Sequence, residues 1–252
     1  MWFEKAKQLI SKVEGDIGFL VKNLATGETF AYRDDEVFPS ASTIKVPILW
    51  ALNDEAAEGR LDLNMACPVP PSEVVDGAGI VKFLSGNLQY TLLDHATLMI
   101  DLSDNTSTNQ IIAALGMDKI NAKFKDLGLK ETVLGRIMMD FDARDQGRDN
   151  FTSCRDMLLI FNTIHDNPEK YAPALKILKQ QILNYLLPHL IYPKDFKFAH
   201  KTGGLPSVRN DVGIMYLSVP VFVAFFAKNL KIDIQAVKLA NEIGLLIYNE
   251  YR

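Results

Sequence analysis

The sequence predicts an α+β fold in which both ends of the chain build one sheet and the middle forms a helical lobe. Strand-like apolar patterns lie near both termini, an amphipathic helix pattern lies at each end, and the intervening residues follow helical periodicity. With 252 residues, 48% of them hydrophobic, the chain can bury a large core. We therefore expect one folding unit with the helical lobe inserted between the strands.

The N-terminal elements are a helix and a pair of strands. Residues 2–14 carry apolar side chains on one helical face, and DIGFLVKNLATGETFAY predicts two strands joined by a turn at residues 25–27. Helical periodicity then dominates from Ser40 to about Leu190, interrupted by proline- and glycine-bearing loops at residues 68–72, 76–79 and 135–150.

The C-terminal elements complete the sheet. FKFAHKTG, DVGIMYL and VPVFVAFFAKN predict three further strands, and residues 233–251 predict a closing helix. These assignments divide the chain into an α/β lobe formed by residues 1–39 and 191–252 and a helical lobe formed by residues 40–190.

Composition excludes several classes of partner. The 27 basic and 31 acidic residues give a net charge of −4 without a basic stripe, so nucleic acid is not expected to bind. Cys67 and Cys154 lie far apart with no Cys/His spacing typical of a metal site, so neither a metal nor a cofactor is expected. The two cysteines form either a disulfide or two free thiols.

The sequence contains no pattern typical of a membrane protein. No apolar run approaches the roughly 18 residues that span a bilayer, and MWFEKAKQLISKVEG lacks the regions of a signal peptide. A soluble monomer is expected. Its location is open, because the chain is cytoplasmic as written or extracytoplasmic if an export segment has been removed.

The segment FPSASTIKVPILW contains a lysine at the head of an apolar run. Lys45 precedes Val46-Pro47-Ile48, and a charge entering a core costs several kcal/mol unless it is paired or loses its proton. Ser42 lies three residues earlier, which places both side chains on one helical face. The pair therefore suggests a serine nucleophile with an amine base, although a lone Ser-x-x-Lys is weak evidence.

Two further motifs follow in the chain. Ser103-Asp104-Asn105 stands at a predicted helix start, where simple N-capping is the alternative. Lys201-Thr202-Gly203-Gly204 stands at the end of a predicted strand, where an edge-strand lysine and a glycine turn are the alternative. The three motifs in this order are much more specific than any one alone.

This set resembles the motifs of class A β-lactamases and the related penicillin-binding proteins, and the order of predicted elements is similar over nearly the whole chain. The resemblance implies a β-lactamase/transpeptidase-like fold, with a five-stranded antiparallel sheet flanked by helices and the active site between the lobes. It also implies a small substrate, either a β-lactam or a D-Ala-D-Ala-like compound.

The chemistry of acyl transfer assigns a role to each motif residue. Ser42 is the expected nucleophile and Lys45 its base. By resemblance, Ser103 relays the proton to the leaving nitrogen and Asn105 holds Lys45 and a substrate amide. Lys201 orients Ser103 and attracts an anionic substrate.

The resemblance also assigns the remaining contacts to the substrate. The backbone N–H groups of Ser42 and Gly204 form the expected oxyanion hole. Thr202 binds a carboxylate, with Gly203 beside it in the substrate-binding strand. Arg209 is a candidate second carboxylate ligand, and a surface arginine in a hairpin is the equal alternative.

One segment departs from the class A pattern. There, a Glu-x-x-Leu-Asn element between the second and third motifs supplies the glutamate that activates the deacylating water. The corresponding stretch here, GRIMMDFDARDQGRDNFTS, has no glutamate. Asp140 and Asp142 are the nearest carboxylates, and Asp140 is the candidate base, although an aspartate is one methylene shorter.

Two functions therefore remain open from the sequence. One is an acyl-serine hydrolase acting on β-lactams, or on a D-Ala-D-Ala peptide or ester, with intact acylation and slow deacylation. The other is a non-hydrolysing β-lactam sensor, for which a water-activating carboxylate is unnecessary.

Overall fold

A computed structural model gives the structure of the protein and describes residues 2–84 and 89–252. It contains one five-stranded sheet with the order β2-β1-β7-β6-β5, in which all neighbours are antiparallel. The strands are β1 (Asp16–Asn23), β2 (Thr29–Tyr32), β5 (Lys197–Leu205), β6 (Val208–Tyr216) and β7 (Pro220–Lys228). The predicted α+β class and the sheet built from both ends of the chain are confirmed.

The outer face of the sheet packs against the two terminal helices, α1 (Trp2–Ile10) and α9 (Asp233–Tyr251). Alternate strand residues such as Phe19 and Phe225 are fully buried on this face, and each contributes about 1.5–3 kcal/mol of hydrophobic stabilisation. Helix α9 has the predicted bounds. Helix α1 is shorter than predicted, because i→i+3 bonds such as that from Lys12 N to Leu9 O tighten its end before β1 begins.

The inner face of the sheet shares one hydrophobic core with the helices of the middle segment. The central helix is α2 (Lys45–Ala57), in which every residue from Lys45 to Glu55 is buried. The other helices are α3 (Leu92–Asp101), α4 (Asn105–Leu115), α5 (Met117–Leu127), α6 (Phe141–Asp145), α7 (Cys154–Asp166) and α8 (Ala172–Leu178).

The middle segment is less regularly helical than the sequence predicts. The described residues between α2 and α3 contain only two short 3₁₀ turns, Pro71–Glu73 and Val81–Phe83, because the prolines of this stretch cannot continue an α-helix. A second small sheet pairs β3 (Phe38–Pro39) with β4 (Phe151–Thr152). Two residues per strand are too few to produce a periodic pattern. The division into lobes at residues 40 and 190 stays a prediction.

The cysteines are both free thiols, Cys154 buried and Cys67 half-buried. Across residues 2–84 and 89–252, no helix combines the length and apolar composition that crossing a membrane requires. The same described ranges contain no group of three side chains able to hold a metal ion.

Candidate active site

Ser42 and Lys45 lie where a 3₁₀ helix runs into α2. The 3₁₀ helix spans Ala41–Ile44, and α2 begins at Lys45 itself. Side chains three residues apart eclipse each other in a 3₁₀ helix, so Ser42 and Lys45 project from one face. Ser42 is half-buried, whereas Lys45 is fully buried one turn further into the protein.

The Lys45 amine is held by the second motif. Its Nζ donates to the Ser103 carbonyl oxygen at 2.7 Å, to Ser103 Oγ at 3.1 Å and to Asn105 Oδ1 at 2.9 Å. All three acceptors are neutral. Burial and the nearby Lys201 charge therefore hold the pKa of Lys45 well below its ordinary value, and Asp104 opposes them. An amine with such a pKa can lose its proton and act as a base.

The second motif is a strained turn between α3 and α4. Ser103 has a left-handed φ of 55°, a conformation that costs about 1–3 kcal/mol outside glycine. Asp104 caps α4 by accepting from Ser107 N at 2.8 Å. The N-capping interpretation thus applies to Asp104, whereas Ser103 and Asn105 are turned towards Lys45.

The same turn fixes the loop that forms one rim of the site. Asp104 Oδ2 accepts from Ile80 N at 2.7 Å and Val81 N at 2.9 Å, and Asn105 N donates to Ala78 O at 3.0 Å. Gly79 lies so close that a Cβ there would meet Asp104 Oδ2 at 2.1 Å. Asp104 therefore supports the cleft through this loop and not by contact with Lys45.

The third motif lies on β5, with Lys201 fully buried. Lys201 Nζ donates to Gln181 Oε1 and to Thr202 O, both at 3.0 Å, and its hydrogen bonds within the described residues do not include Ser103. Burial lowers the pKa of Lys201 to about 7, against the opposing effects of Asp211 and Asp101. The Lys201 amine therefore loses its proton, and with it its positive charge, as the pH rises above neutral.

Gln181 organises this end of the site and was missed by the sequence analysis. Its Oε1 accepts from Thr202 N at 3.1 Å and Thr202 Oγ1 at 3.3 Å, in addition to Lys201 Nζ. The residue follows α8 in an irregular segment, 20 positions before Lys201 in the chain. A contact across such a distance leaves no local spacing signal in a single sequence.

Gly203 allows β5 to lie against the turn that carries Ser42. A Cβ at Gly203 would lie 2.9 Å from Ser40 O and 3.1 Å from Ser42 N. At Gly204, the nearest atoms to a Cβ would be Arg209 Nη1 and Tyr185 Oη, both at 3.7 Å. The first glycine is therefore required by packing, whereas a Cβ at the second would make only ordinary van der Waals contacts.

Gly203→Ala is expected to lower the free energy of unfolding by about 1–3 kcal/mol, because the methyl group must push β5 away from the Ser42 turn. Gly204→Ala is the matched control and is expected to change it by less than about 0.5 kcal/mol. Urea unfolding of both variants measures the difference. Equal losses would show that the packing of Gly203 against Ser40 and Ser42 does not limit stability.

Ser42, Asn105 and Gly204 share the wall of a cavity of about 210 Å³. The segment between α5 and α7 supplies much of the rest through Arg136, Met138, Met139, Phe141, Asp149 and Asn150. Among the described residues that line this cavity, Asp149 carries the only carboxylate. It is neutralised by Arg136 Nε at 2.8 Å and Arg144 Nε at 3.5 Å. The cavity thus combines a serine hydroxyl with a wall that has no unpaired carboxylate among those residues.

Asp140 does not line this cavity. Its Oδ1 accepts from Ala143 N at 2.9 Å and so caps α6, while Asp142 is exposed in the first turn of that helix. The backbone of the cavity-lining Met138 is held by Asn109, whose side chain accepts from Met138 N at 2.8 Å and donates to Met138 O at 3.1 Å. The role of Asp140 as a water-activating base stays a prediction.

Arg209 reaches the neighbourhood of Gly204, and three of the N–H groups of its guanidinium already have acceptors. Its Nη1 donates to Leu205 O and Val208 O at 2.7 Å each, and its Nη2 pairs with Asp233 at 2.7 Å. A carboxylate that approached Nη1 would have to compete with the two backbone carbonyl oxygens bound there. The proposed role in substrate binding stays a prediction.

Comparison with known proteins gives consistent matches over most of the chain. The model of the beta-lactamase enzyme family matches residues 2–251. A β-lactamase of Rhodobacter capsulatus is 30% identical over 152 residues, which cover 57% of this chain and 51% of that relative. The chain therefore matches only about half of that protein's length.

Solved structures match over nearly the full length. PBP-A is 31% identical with a TM-score of 0.88, covering 99% of this chain and 95% of that one. A mutant of PBP-A, solved as an acyl-enzyme complex with penicillin G, matches with the same values. An ancestral class A β-lactamase is 23% identical with a TM-score of 0.87 and full coverage of both chains, a likeness in fold.

Proposed function

Since the chain belongs to the beta-lactamase enzyme family, we propose that it opens β-lactam amides through a covalent acyl-enzyme at Ser42 and releases the acyl group slowly. The observation that carries the proposal is the buried Lys45 amine, bonded to Ser103 and Asn105 one turn from a cavity-lining serine. A buried amine with a lowered pKa is the base that a serine nucleophile requires.

Acylation uses the three motifs together. Neutral Lys45 takes the proton from Ser42 as Oγ forms a bond to the lactam carbonyl carbon. Ser103 Oγ, 3.1 Å from Lys45 Nζ, then delivers its proton to the lactam nitrogen as the C–N bond breaks, and it regains a proton from the Lys45 ammonium. The N–H groups of Ser42 and Gly204, which share the cavity wall, stabilise the tetrahedral oxyanion.

The carboxylate of the substrate binds at the β5 end of the cavity in this proposal. Lys201 supplies the positive charge, and the Thr202 hydroxyl, which donates to Gln181 Oε1 in the structure, turns its hydrogen to the substrate carboxylate. The buried position of Lys201 strengthens its attraction for an anion, because the local dielectric constant is low.

Deacylation lacks an evident base. The cavity-lining positions that follow Arg136 are Met138 and Met139, and Asp149 is already paired with two arginines. A water near the acyl bond would therefore meet thioether side chains and no unpaired carboxylate among these residues. This supports a long-lived acyl-enzyme.

A D-Ala-D-Ala peptidase or esterase is the second candidate. The apolar wall formed by Met138 and Met139 favours it over a fast β-lactamase, because the wall offers no carboxylate to activate water on a β-lactam adduct. A sensor function, in which the acyl-enzyme itself is the signal, would use the same acylation machinery. Turnover of a D-Ala-D-Ala peptide or a matching thioester separates a peptidase from the other two.

Intact-mass measurement after addition of benzylpenicillin tests the proposal. We expect an increase equal to the mass of one penicillin within a stoichiometric burst, followed by slow turnover, because loss of a positioned base costs about 10²–10⁴-fold on its step. Absence of any adduct and of any hydrolysis would contradict the proposed function. Fast hydrolysis without a burst would contradict the slow deacylation alone.

A further inference from the structure

Lys201 is a buried ammonium without a charged hydrogen-bond partner in the described part of the chain. Its side chain is fully buried, and both of its acceptors, Gln181 Oε1 and Thr202 O, are neutral. A buried charge is costly unless an opposite charge compensates it. Two nearby carboxylates can do so, because Asp211 and Asp101 both oppose the lowering of the Lys201 pKa.

Both carboxylate oxygens of Asp211 already have partners other than Lys201. It is fully buried, with Oδ1 2.8 Å from His200 Nδ1 and Oδ2 accepting from Leu187 N at 3.1 Å. His200 is in turn 3.1 Å from Asn184 Oδ1 through its other ring nitrogen. This arrangement ties Asp211 to the segment that precedes β5 and gives both of its oxygens a partner.

The Asp101 carboxylate, in contrast, has an oxygen without a hydrogen-bond partner among the described residues. It is the last residue of α3, two positions before Ser103, and its Oδ1 is buried with no hydrogen-bond partner in residues 2–84 and 89–252. Burial raises the pKa of Asp101 to about 6, and the Lys201 charge opposes the rise. No step of the proposed acylation uses this carboxylate.

In the part of the chain that the structure describes, Gln181 carries a buried donor without an acceptor, whereas Asp101 carries a buried acceptor without a donor. Gln181 Nε2 is buried and lacks an acceptor among the described residues, while its Oε1 holds Lys201 and Thr202. The segments that carry Asp101 and Gln181 are in direct contact, since Ile182 N donates to Asp101 O at 3.4 Å. An unpaired donor and an unpaired acceptor therefore lie on adjacent segments beside the same lysine.

We propose that Asp101 is a positioning residue for carboxylate recognition: from the segment in contact with that of Gln181, it supplies the counter-charge that keeps Lys201 protonated. This inference rests on the proposed function of the same site. It adds a specificity-determining residue outside the three motifs, for substrates that carry a carboxylate.

The charged groups around Lys201 determine the sign of the expected pH effect. Lys45 on α2 is the nearby cation whose own pKa the Lys201 charge lowers, whereas Asp211 from β6 and Asp101 from α3 favour the protonation of Lys201. With pKa values of about 6 and about 7, Asp101 and Lys201 are both charged between those values. Below this range Asp101 gains a proton, and above it Lys201 loses one. Removing the Asp101 charge must therefore lower the pKa of Lys201 further.

The test compares benzylpenicillin with its methyl ester in the wild type and in Asp101→Asn, with acylation rate constants measured from pH 5 to 9. For the free acid, the acylation rate constant should fall at high pH as Lys201 loses its proton. We expect Asp101→Asn to move this alkaline limb of the pH–rate profile about one pH unit lower and to slow acylation about tenfold at pH 7.5. The ester has no charge for Lys201 to bind, so its rate is expected to be unchanged. Asp101→Glu is expected to restore part of the free-acid rate.

Asp126→Asn is the matched control, because it makes the same chemical change at an exposed position of α5 and is expected to alter neither substrate. Thermal melting of each variant identifies any loss of folding, and Gln181→Leu provides a second variant that should also slow the free acid selectively. Equal slowing of acid and ester, or an unshifted limb, would overturn the role of Asp101. A wild type that forms no acyl-enzyme would instead overturn the proposed function.

Discussion

Replacing Ser42 with alanine is expected to abolish covalent labelling by a fluorescent penicillin while leaving the fold intact. The hydroxyl lines the cavity and makes no side-chain hydrogen bond within the described residues, so the change should alter the free energy of unfolding by less than about 0.5 kcal/mol. The measurement is fluorescence of the denatured protein on a gel, combined with a thermal melt of the unlabelled protein. Ser11→Ala, at an exposed serine, is the matched control and should label like the wild type.

Replacing Lys45 is expected to slow acylation, because its amine is the proposed base. Lys45→Met keeps the length of the buried side chain but removes the amine, and acylation should slow by at least about 10²-fold, the usual scale of a general base. Ser103 and Asn105 would lose their donor, so some stability should be lost as well. Undiminished labelling of Ser42→Ala would show that another nucleophile reacts. Undiminished labelling of Lys45→Met would show that Lys45 is not the base.

The fold could be predicted from the sequence where patterns are local and strong. The three C-terminal strands and helix α9 carry continuous apolar or periodic runs, and the sheet that they form is the predicted one. The prediction failed where structure depends on few residues. The β3-β4 pair has two residues per strand, and the stretch before α3 is held by long-range contacts such as those of Ile80 and Val81 with Asp104.

The candidate site divides in the same way. Ser42, Lys45, Ser103 and Lys201 stand in short motifs, and motif order was enough to indicate the family, which is confirmed. Gln181 and Asn109 act by hydrogen bonds to residues 20 or more positions away, so no spacing rule identifies them. Asp101 adjoins the second motif but has its effect through a lysine on another strand. Long-range contacts of this kind require a structure.

A glutamate at position 138 is expected to convert slow release of the acyl group into faster hydrolysis. Met138 lines the cavity that contains Ser42, and Asn109 fixes its backbone from both sides, so Met138→Glu adds a carboxylate to the cavity wall on a rigid backbone. A positioned base contributes about 10²–10⁴-fold to its step. We therefore expect Met138→Glu to shorten the lifetime of the penicillin acyl-enzyme by at least about tenfold, measured by intact mass over time. Acylation should change much less, because Ser42, Lys45 and Ser103 are untouched.

Two controls separate base catalysis from other effects of this substitution. Met138→Gln introduces a side chain with nearly the same shape as glutamate but without its charge. Ile137→Glu adds the charge at an exposed neighbour that does not line the cavity. Both should leave the acyl-enzyme as long-lived as in the wild type. Asp140→Asn belongs in the same series: a longer lifetime would support Asp140 as a residual base, whereas an unchanged one would leave it as the cap of α6. If Met138→Gln accelerates release as much as Met138→Glu, access of water and not a missing base limits deacylation, and the interpretation of this wall is wrong.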